Sequence, residues 1–314
     1  MSAPPRTLFL LVDGLGLGAR DPAQNPVRSG ACPVLESLLD HAAIPIDAGM
    51  GVPGIPQSAT GQTALLTGVN ASQLMGRHVE GFPGPALRKV IRAHNIYDQL
   101  ARRGYTATFA NAYYVTDLAD VTNRKIQSVT TVAALQAFGW VRDVSALLAN
   151  AAVYQDLTRA SLRERGYAGP LVTPAESARH LMSVAGQHDF TVFEYFQTDR
   201  VGHKGAPEDI LRILRLFDEF LAALRTFTSD PRHLMILTSD HGNIEAAGSR
   251  GHSANPVPFV AVGNGAKLLR QRVKSVVDVT PAIMALYQAE QPAVRQAGAV
   301  PPPGISGDAP AAAV

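Results

Sequence analysis

The residues best suited to chemistry in this sequence are three aspartates and three histidines, four of them where an apolar run stops and two, His203 and His252, in the loops that follow. Residues 234–237 form such a run, which Asp240 and His241 close and Gly242 breaks. Farther on, Gly251-His252-Ser253 supplies another imidazole. The prolines of Asn255-Pro256-Val257-Pro258 then hold an extended path into residues 259–262. Residues 7–12 are also apolar and run into Asp13-Gly14-Leu15-Gly16, and the aromatic and β-branched residues 190–196 lead to Asp199 and His203. Four positions apart, Asp199 and His203 share one face of a helical turn. Carboxylates and imidazoles without thiolates suit Zn, Mn, Co or Fe. Six ligands exceed what one catalytic ion with an open position needs, so two divalent ions, about 3.5–4 Å apart, are the economical arrangement.

A hydroxyl pair stands near by in sequence. The Gly/Pro-rich residues 51–57 lead into Ser58-Ala59-Thr60-Gly61, and a loop that turns helical at Ser58 or Thr60 places a hydroxyl at a helix N-terminus. Free backbone N–H groups there also attract anions. Between two ions a Thr60 hydroxyl would have a lowered pKa and could attack phosphorus. Each feature alone has a plain structural reading, as a turn residue, a hydrogen-bonded histidine or a helix cap. Their joint placement on one edge of a sheet does not.

The elements that must position these groups alternate. Strands at 7–12, 105–110, 190–196, 234–237 and 259–262 are interleaved with helices at 33–41, 87–103, 174–185 and 207–227, and a last helix runs from Thr280-Pro281 to about Tyr287. The helix at 87–103 carries Val90, Ile91, Ile96 and Leu100 near one face, with Gly104 as its C-cap. Thr173-Pro174-Ala175-Glu176 is a capping box. The helix after Pro207 has a stripe of Ile210, Leu214, Phe217, Leu221 and Leu224. This pattern predicts an α/β fold, a mainly parallel sheet covered by helices on both faces, with ligands beyond the carboxyl ends of its strands. Between 113 and 172 the pattern loosens, which suggests an inserted cap on a core made of 1–112 and 173–300. Residues 301–314, rich in Pro and Ala, read as a tail that does not pack.

Composition narrows the partners. With 46% hydrophobic and 17% charged residues the chain is globular rather than disordered. Its 28 basic and 26 acidic residues nearly cancel, so neither nucleic acid nor an anionic membrane is expected as a bulk partner. The absence of a signal-like start and of a spanning apolar stretch leads to the expectation of a cytoplasmic protein. Cys32 is the only cysteine, so a cysteine metal cage is excluded.

Val12-Asp13-Gly14, Ser58-Ala59-Thr60-Gly61, Asp199-Arg200-Val201-Gly202-His203, Ser239-Asp240-His241-Gly242-Asn243 and His252-Ser253-Ala254-Asn255-Pro256-Val257-Pro258-Phe259 together resemble the alkaline phosphatase superfamily. Within it they are nearest the branch of cofactor-independent phosphoglycerate mutases and phosphopentomutases. The resemblance implies one metal held by Asp199, His203 and His252, and another by Asp13, Asp240, His241 and the Thr60 oxygen, the ions being Mn or Zn. It implies Thr60 as the nucleophile that is phosphorylated and discharged, with Ser58 as the alternative. The expected reaction is hydrolysis of a small phosphorylated substrate through phosphothreonine, because the cap segment is small for a mutase. A phosphomutase is the second reading, and a metal-binding protein without turnover the third. Arg77, His78, Arg200, Lys204 and Arg250 lie near the motifs and are candidates for holding substrate anions.

Overall fold

The computed structural model describes residues 3–246, 248 and 251–288. Its sheet has six strands among the described residues: β1 (Arg6–Val12), β2 (Ala43–Ile46), β3 (Ala107–Phe109), β4 (Phe190–Tyr195), β5 (His233–Thr238) and β6 (Val257–Gly263). They are ordered β2-β6-β5-β1-β4-β3. β1 lies between parallel partners β4 and β5, and β3 extends the parallel set outside β4. β6 is antiparallel to β5, and β2 is antiparallel to β6.

Alternation along β1 explains why it is apolar from Leu8 to Val12. Phe9 and Leu11 enter one core, with Val192, Ile236 and Phe259, under helices that include Ser58–Thr67, Ile96–Ala101 and Val279–Met284. Leu8, Leu10 and Val12 enter the other, with Phe193, Tyr195 and Leu237, under helices Pro33–His41, Pro174–Ala185 and Pro207–Leu224. A sheet buried on both faces has no solvent side on which to place polar residues. Register does the rest. Val12 is opposite Tyr195 and Leu11 opposite Thr238, so the chain leaves β1, β4 and β5 at one edge, just before Asp13, Asp199 and Asp240.

Local departures from the sequence expectations have local causes. Helix 87–103 is two helices, Pro85–His94 and Ile96–Ala101. Asn95 between them is extended (φ −62°, ψ 147°), donates from Nδ2 to Ile91 O and accepts at Oδ1 from Asp98 N, so one side chain closes the first helix and caps the second. β2 lacks a periodic signal because it is short and carries Pro45, which suits an edge strand. The helix from Pro207 ends at Leu224 and continues as a 3₁₀ turn, Arg225–Ser229.

The segment 113–172 divides its packing. Helix Val129–Phe138 buries Val129, Val132, Ala133 and Ala134 in the main core. Ala146, Leu147, Ala152, Tyr154, Leu162 and Tyr167 form a small core of their own with Ala112. Buried Arg142 ties that unit to the end of β3, donating to Phe109 O (3.1 Å), Ala151 O (2.6 Å) and Thr108 Oγ1 (2.9 Å). Burial lowers its pKa only to about 10, so it stays charged at neutral pH. No helix among the described residues is long and apolar enough to cross a membrane. The expected tail, 301–314, and Arg250 lie outside the described residues.

Candidate metal centre

The three loops that follow β1, β4 and β5, with the loop that enters β6, bring the six expected side chains into one cluster. His241 Nε2 lies 3.1 Å from Asp13 Oδ1 and 3.6 Å from Asp240 Oδ2. Asp199 and His203 occupy one face of helix Gln197–Lys204, with His203 Nε2 3.3 Å from Asp199 Oδ1. His252 Nε2 is 3.4 Å from Asp199 Oδ1 and 2.9 Å from His203 Nε2. The rings of His241 and His252 stack at 3.7 Å, so the two groups adjoin. Asp13, Asp240 and His241 have ligand atoms within 4.8 Å of one another, and so do Asp199, His241 and His252.

The donor set fits divalent cations. Asp240 Oδ2 is buried without a hydrogen-bond donor, Asp13 Oδ1 is buried with His241 Nε2 beside it, and two imidazole Nε2 atoms face each other at 2.9 Å. Buried polar atoms are ordinarily satisfied, so such a cluster has room for positive charge. His252 Nδ1 is 3.1 Å from Pro56 O; as donor there, it leaves the Nε2 lone pair toward the cluster, the usual tautomer of a liganding imidazole. The electrostatics point the same way. Burial and the charge of Asp240 raise the Asp13 carboxyl well above its ordinary range, and His241 offsets this only in part. Burial opposes charging of His241, but Asp240 and Asp13 hold its pKa at about 10. Asp199 is pulled down to about 2 against its own burial by His252, His241 and the amide of Asn243.

A frame of hydrogen bonds holds the ligand loops. Glu245, 1% exposed, accepts from Gly16 N and Asn243 N (both 2.8 Å), from Asn255 Nδ2 (3.0 Å) and from Ser253 Oγ. One carboxylate therefore joins the loops that carry Asp13, His241 and His252. Asn243 Nδ2 donates to Asp199 Oδ1 (2.7 Å), and Gln62 Nε2 to Asp13 Oδ2 (3.2 Å). Close approach also matters at Gly61, where a Cβ would lie 2.8 Å from Asp240 O, so helix Ser58–Thr67 rests directly on the turn after β5.

The two hydroxyls of Ser58-Ala59-Thr60-Gly61 differ in their partners. Thr60 is fully buried, its Oγ1 3.2 Å from Gln57 O and accepting from Val79 N at 3.3 Å. Ser58 is the first residue of helix Ser58–Thr67, and its Oγ is 2.9 Å from His241 Nε2. Ser58 Oγ therefore has a hydrogen-bond contact with the cluster, while the bonds of Thr60 Oγ1 are to backbone groups.

A cavity of about 950 Å³ opens from the cluster, lined by Asp13, Ser58, Asp199 and His203 at the ligand side. Of the expected anion-holding residues, Arg200 and Lys204 line it. Arg77 and His78 do not: Arg77 is exposed elsewhere, and His78 is tied to Ser72 Oγ and Val52 O. Segment 113–172 contributes Tyr113, Tyr114, Tyr154, Arg124 and Arg165 to its walls, none signalled by spacing. Glu194 also lines it. Burial raises the pKa of Glu194 to about 7, although Thr130 Oγ1, at 2.5 Å, and Gln62 hydrogen-bond it. Glu194 did have a signal, being the one acid inside the otherwise uncharged run of β4.

Comparison with known proteins agrees with this geometry. A family model described as the Metalloenzyme superfamily matches residues 5–291. The chain is similar to the 2,3-bisphosphoglycerate-independent phosphoglycerate mutase of Moorella thermoacetica, 27% identical over 130 residues that are 38% of this chain and 25% of that protein. It is similar to the enzyme of that name from Legionella pneumophila, 26% identical over 147 residues, 44% of this chain and 26% of that one. The matched region spans about a quarter of the length of these curated relatives. Among solved structures it resembles alkaline phosphatase from the Antarctic bacterium TAB5 (TM-score 0.54, 13% identity, 92% of this chain and 100% of that one). It also resembles PH0037 from Pyrococcus horikoshii (TM-score 0.56, 12% identity, 94% and 100%). At these identities the structural likeness is one of fold. On the family match and a ligand cluster at the sheet edge, the chain belongs to the Metalloenzyme superfamily, with an alkaline phosphatase-like fold.

Proposed function

We propose that this chain is a two-metal phosphohydrolase, a phosphatase or phosphodiesterase, that acts on a small phosphate ester through a phosphoserine at Ser58. The observation that carries the reading is the placement of Ser58: at a helix N-terminus, 2.9 Å from His241 Nε2, on the wall of the cavity that reaches the ligand cluster. Asp199, His203 and His252 would hold one ion, and Asp13, Asp240 and His241 the other, with Mn or Zn suited to these donors. Bound there, the ions would lower the pKa of the Ser58 hydroxyl and neutralise charge on the phosphoryl oxygens.

The chain's own groups supply the rest. Backbone N–H groups at the start of helix Ser58–Thr67 favour an anion beside Ser58 Oγ. Attack by Ser58 Oγ forms an O–P bond as the ester O–P bond breaks, and the leaving oxygen takes a proton. Water then attacks the phosphoserine, returns a proton to Ser58 and releases phosphate. Arg200 and Lys204 hold the substrate anion at the wall of the cavity. The proposal takes the cytoplasm as the setting.

A phosphomutase is the second reading, favoured by the names of the curated relatives. The test incubates the Mn²⁺- or Zn²⁺-loaded protein with sugar phosphates, phosphoglycerates, nucleotides and an aryl phosphate, following inorganic phosphate and isomeric products by NMR. Phosphate release without isomerisation is expected. Isomerisation with little release would make the protein a mutase.

A further inference from the structure

The cavity is much larger than a three-carbon phosphate ester requires. At about 950 Å³ it stands at the upper end of pockets that enclose drug-sized ligands. Its walls combine two kinds of surface. Tyr113, Tyr154, Phe109 and Phe196 provide ring faces and edges, and Phe82, 53% exposed, leaves a large apolar side chain on the same wall. An exposed phenylalanine on a cavity wall is surface that a planar, weakly hydrated group would cover.

The cations that line the cavity have two origins. Arg200 and Lys204 belong to the helix that bears Asp199 and His203, so they accompany the reacting phosphate. Arg124 and Arg165 come from segment 113–172 and line the same cavity. None of the four forms an ion pair with a carboxylate among the described residues. Arg165 is held in place: its guanidinium lies 5.1 Å over the Tyr114 ring, and Nη2 donates to Tyr114 O at 3.1 Å. Arg124 Nε donates to Asp120 O at 2.6 Å, which leaves its terminal nitrogens for another acceptor. Two anchored guanidinium groups without a protein carboxylate match an oxyanion bidentately.

We propose that the site takes a phosphate ester whose leaving group is of nucleoside size, carries a planar ring and bears a second anionic group, with the ring against the aromatic wall and the second anion on Arg124 and Arg165. This rests on the proposed function for the identity of the reacting phosphate, but the ligand class can be read by binding alone.

The test is calorimetric titration of the full-length Mn²⁺-loaded Ser58→Ala protein, which binds without turnover, with adenosine 3′,5′-bisphosphate, AMP and 3-phosphoglycerate. The bisphosphate is expected to bind at least about tenfold more tightly than 3-phosphoglycerate, the increment of a charge-assisted contact. Adding Arg124→Ala and Arg165→Ala, both at exposed positions, should weaken the bisphosphate about tenfold and AMP by less than about threefold. Equal or tighter binding of 3-phosphoglycerate would overturn the proposal, as would an equal loss for both nucleotides. Phosphate release by the wild-type protein is read separately. Selective binding without release refutes the hydrolase reading and keeps the ligand class, and release without selectivity does the reverse.

Discussion

Ser58 and Thr60 are two positions apart on the first turn of one helix, so their side chains point about 200° apart around its axis. Ser58 Oγ is the one with a hydrogen-bond contact to His241, and the proposed nucleophile follows from it. Ser58→Ala should abolish the acid-stable phosphoenzyme and lower kcat by about a thousandfold or more. Thr60→Ala should keep the phosphoenzyme and cost about 1 kcal/mol of stability through its lost hydrogen bonds. Mass spectrometry of the phosphorylated peptide decides between them, and label retained in Ser58→Ala but lost in Thr60→Ala would reverse the assignment. Glu194 makes a second prediction at this scale. Its folded pKa of about 7 lies above the ordinary 4.5, so the native state binds the proton more tightly than the unfolded chain. Its contribution is complete below about pH 4.5 and is lost as pH rises toward 7, a change of about 3 kcal/mol. Glu194→Gln, which mimics the protonated form, should remove that slope in urea unfolding of the chelated protein, with a gain over wild type at pH 8 and none at pH 4. A wild-type slope preserved in the variant would show that another group titrates.

At the scale of elements, the ligands are carried by loops, and loops need a common tie. Glu245 supplies one through acceptor bonds to Gly16, Asn243, Ser253 and Asn255, beside the backbone bonds Ile244 N to Gly14 O, Ser253 N to Gly242 O and Leu17 N to Pro256 O. In Glu245→Gln one oxygen becomes an NH₂ group that faces donors, so the frame loosens with little change in volume. Metal affinity should fall about 10–100-fold, the usual cost of losing a residue that orients ligands. Competition against a chromophoric chelator measures it, and unchanged affinity would show that the loops hold their places without Glu245. Asn95 teaches a related lesson about reading helices. The apolar face runs on through 87–103, but one asparagine caps in both directions and divides it. Periodicity reports which face is buried and not whether the helix is continuous.

For the whole molecule, a cluster of three carboxylates and three imidazoles in a buried edge couples metal loading to stability. Chelation should lower the melting temperature by several degrees and re-addition of Mn²⁺ or Zn²⁺ should restore it, since a ligand at 100 times its Kd adds about 2.7 kcal/mol. Differential scanning calorimetry with and without EDTA checks this, and an unchanged transition would mean that the cluster holds no ion in the native protein. Much of this architecture is legible in the linear chain. A parallel strand covered on both faces is mostly apolar, so an acid just past its end marks the sheet edge, and Asp13, Asp199 and Asp240 can be placed there before any coordinates exist. Chain order does not say which side chains from 113–172 reach that edge. Arg124, Arg165 and the tyrosines lie in irregular backbone whose course depends on contacts such as those of Arg142 with β3. The sequence by itself determined the buried strands β1, β4 and β5 and their ligand-bearing ends, because both follow from burial and periodicity along the chain. The contact of Ser58 with His241, the shared hold of Glu245 and the shape of the cavity were decided only by the tertiary structure, because each depends on how separate segments face one another in space.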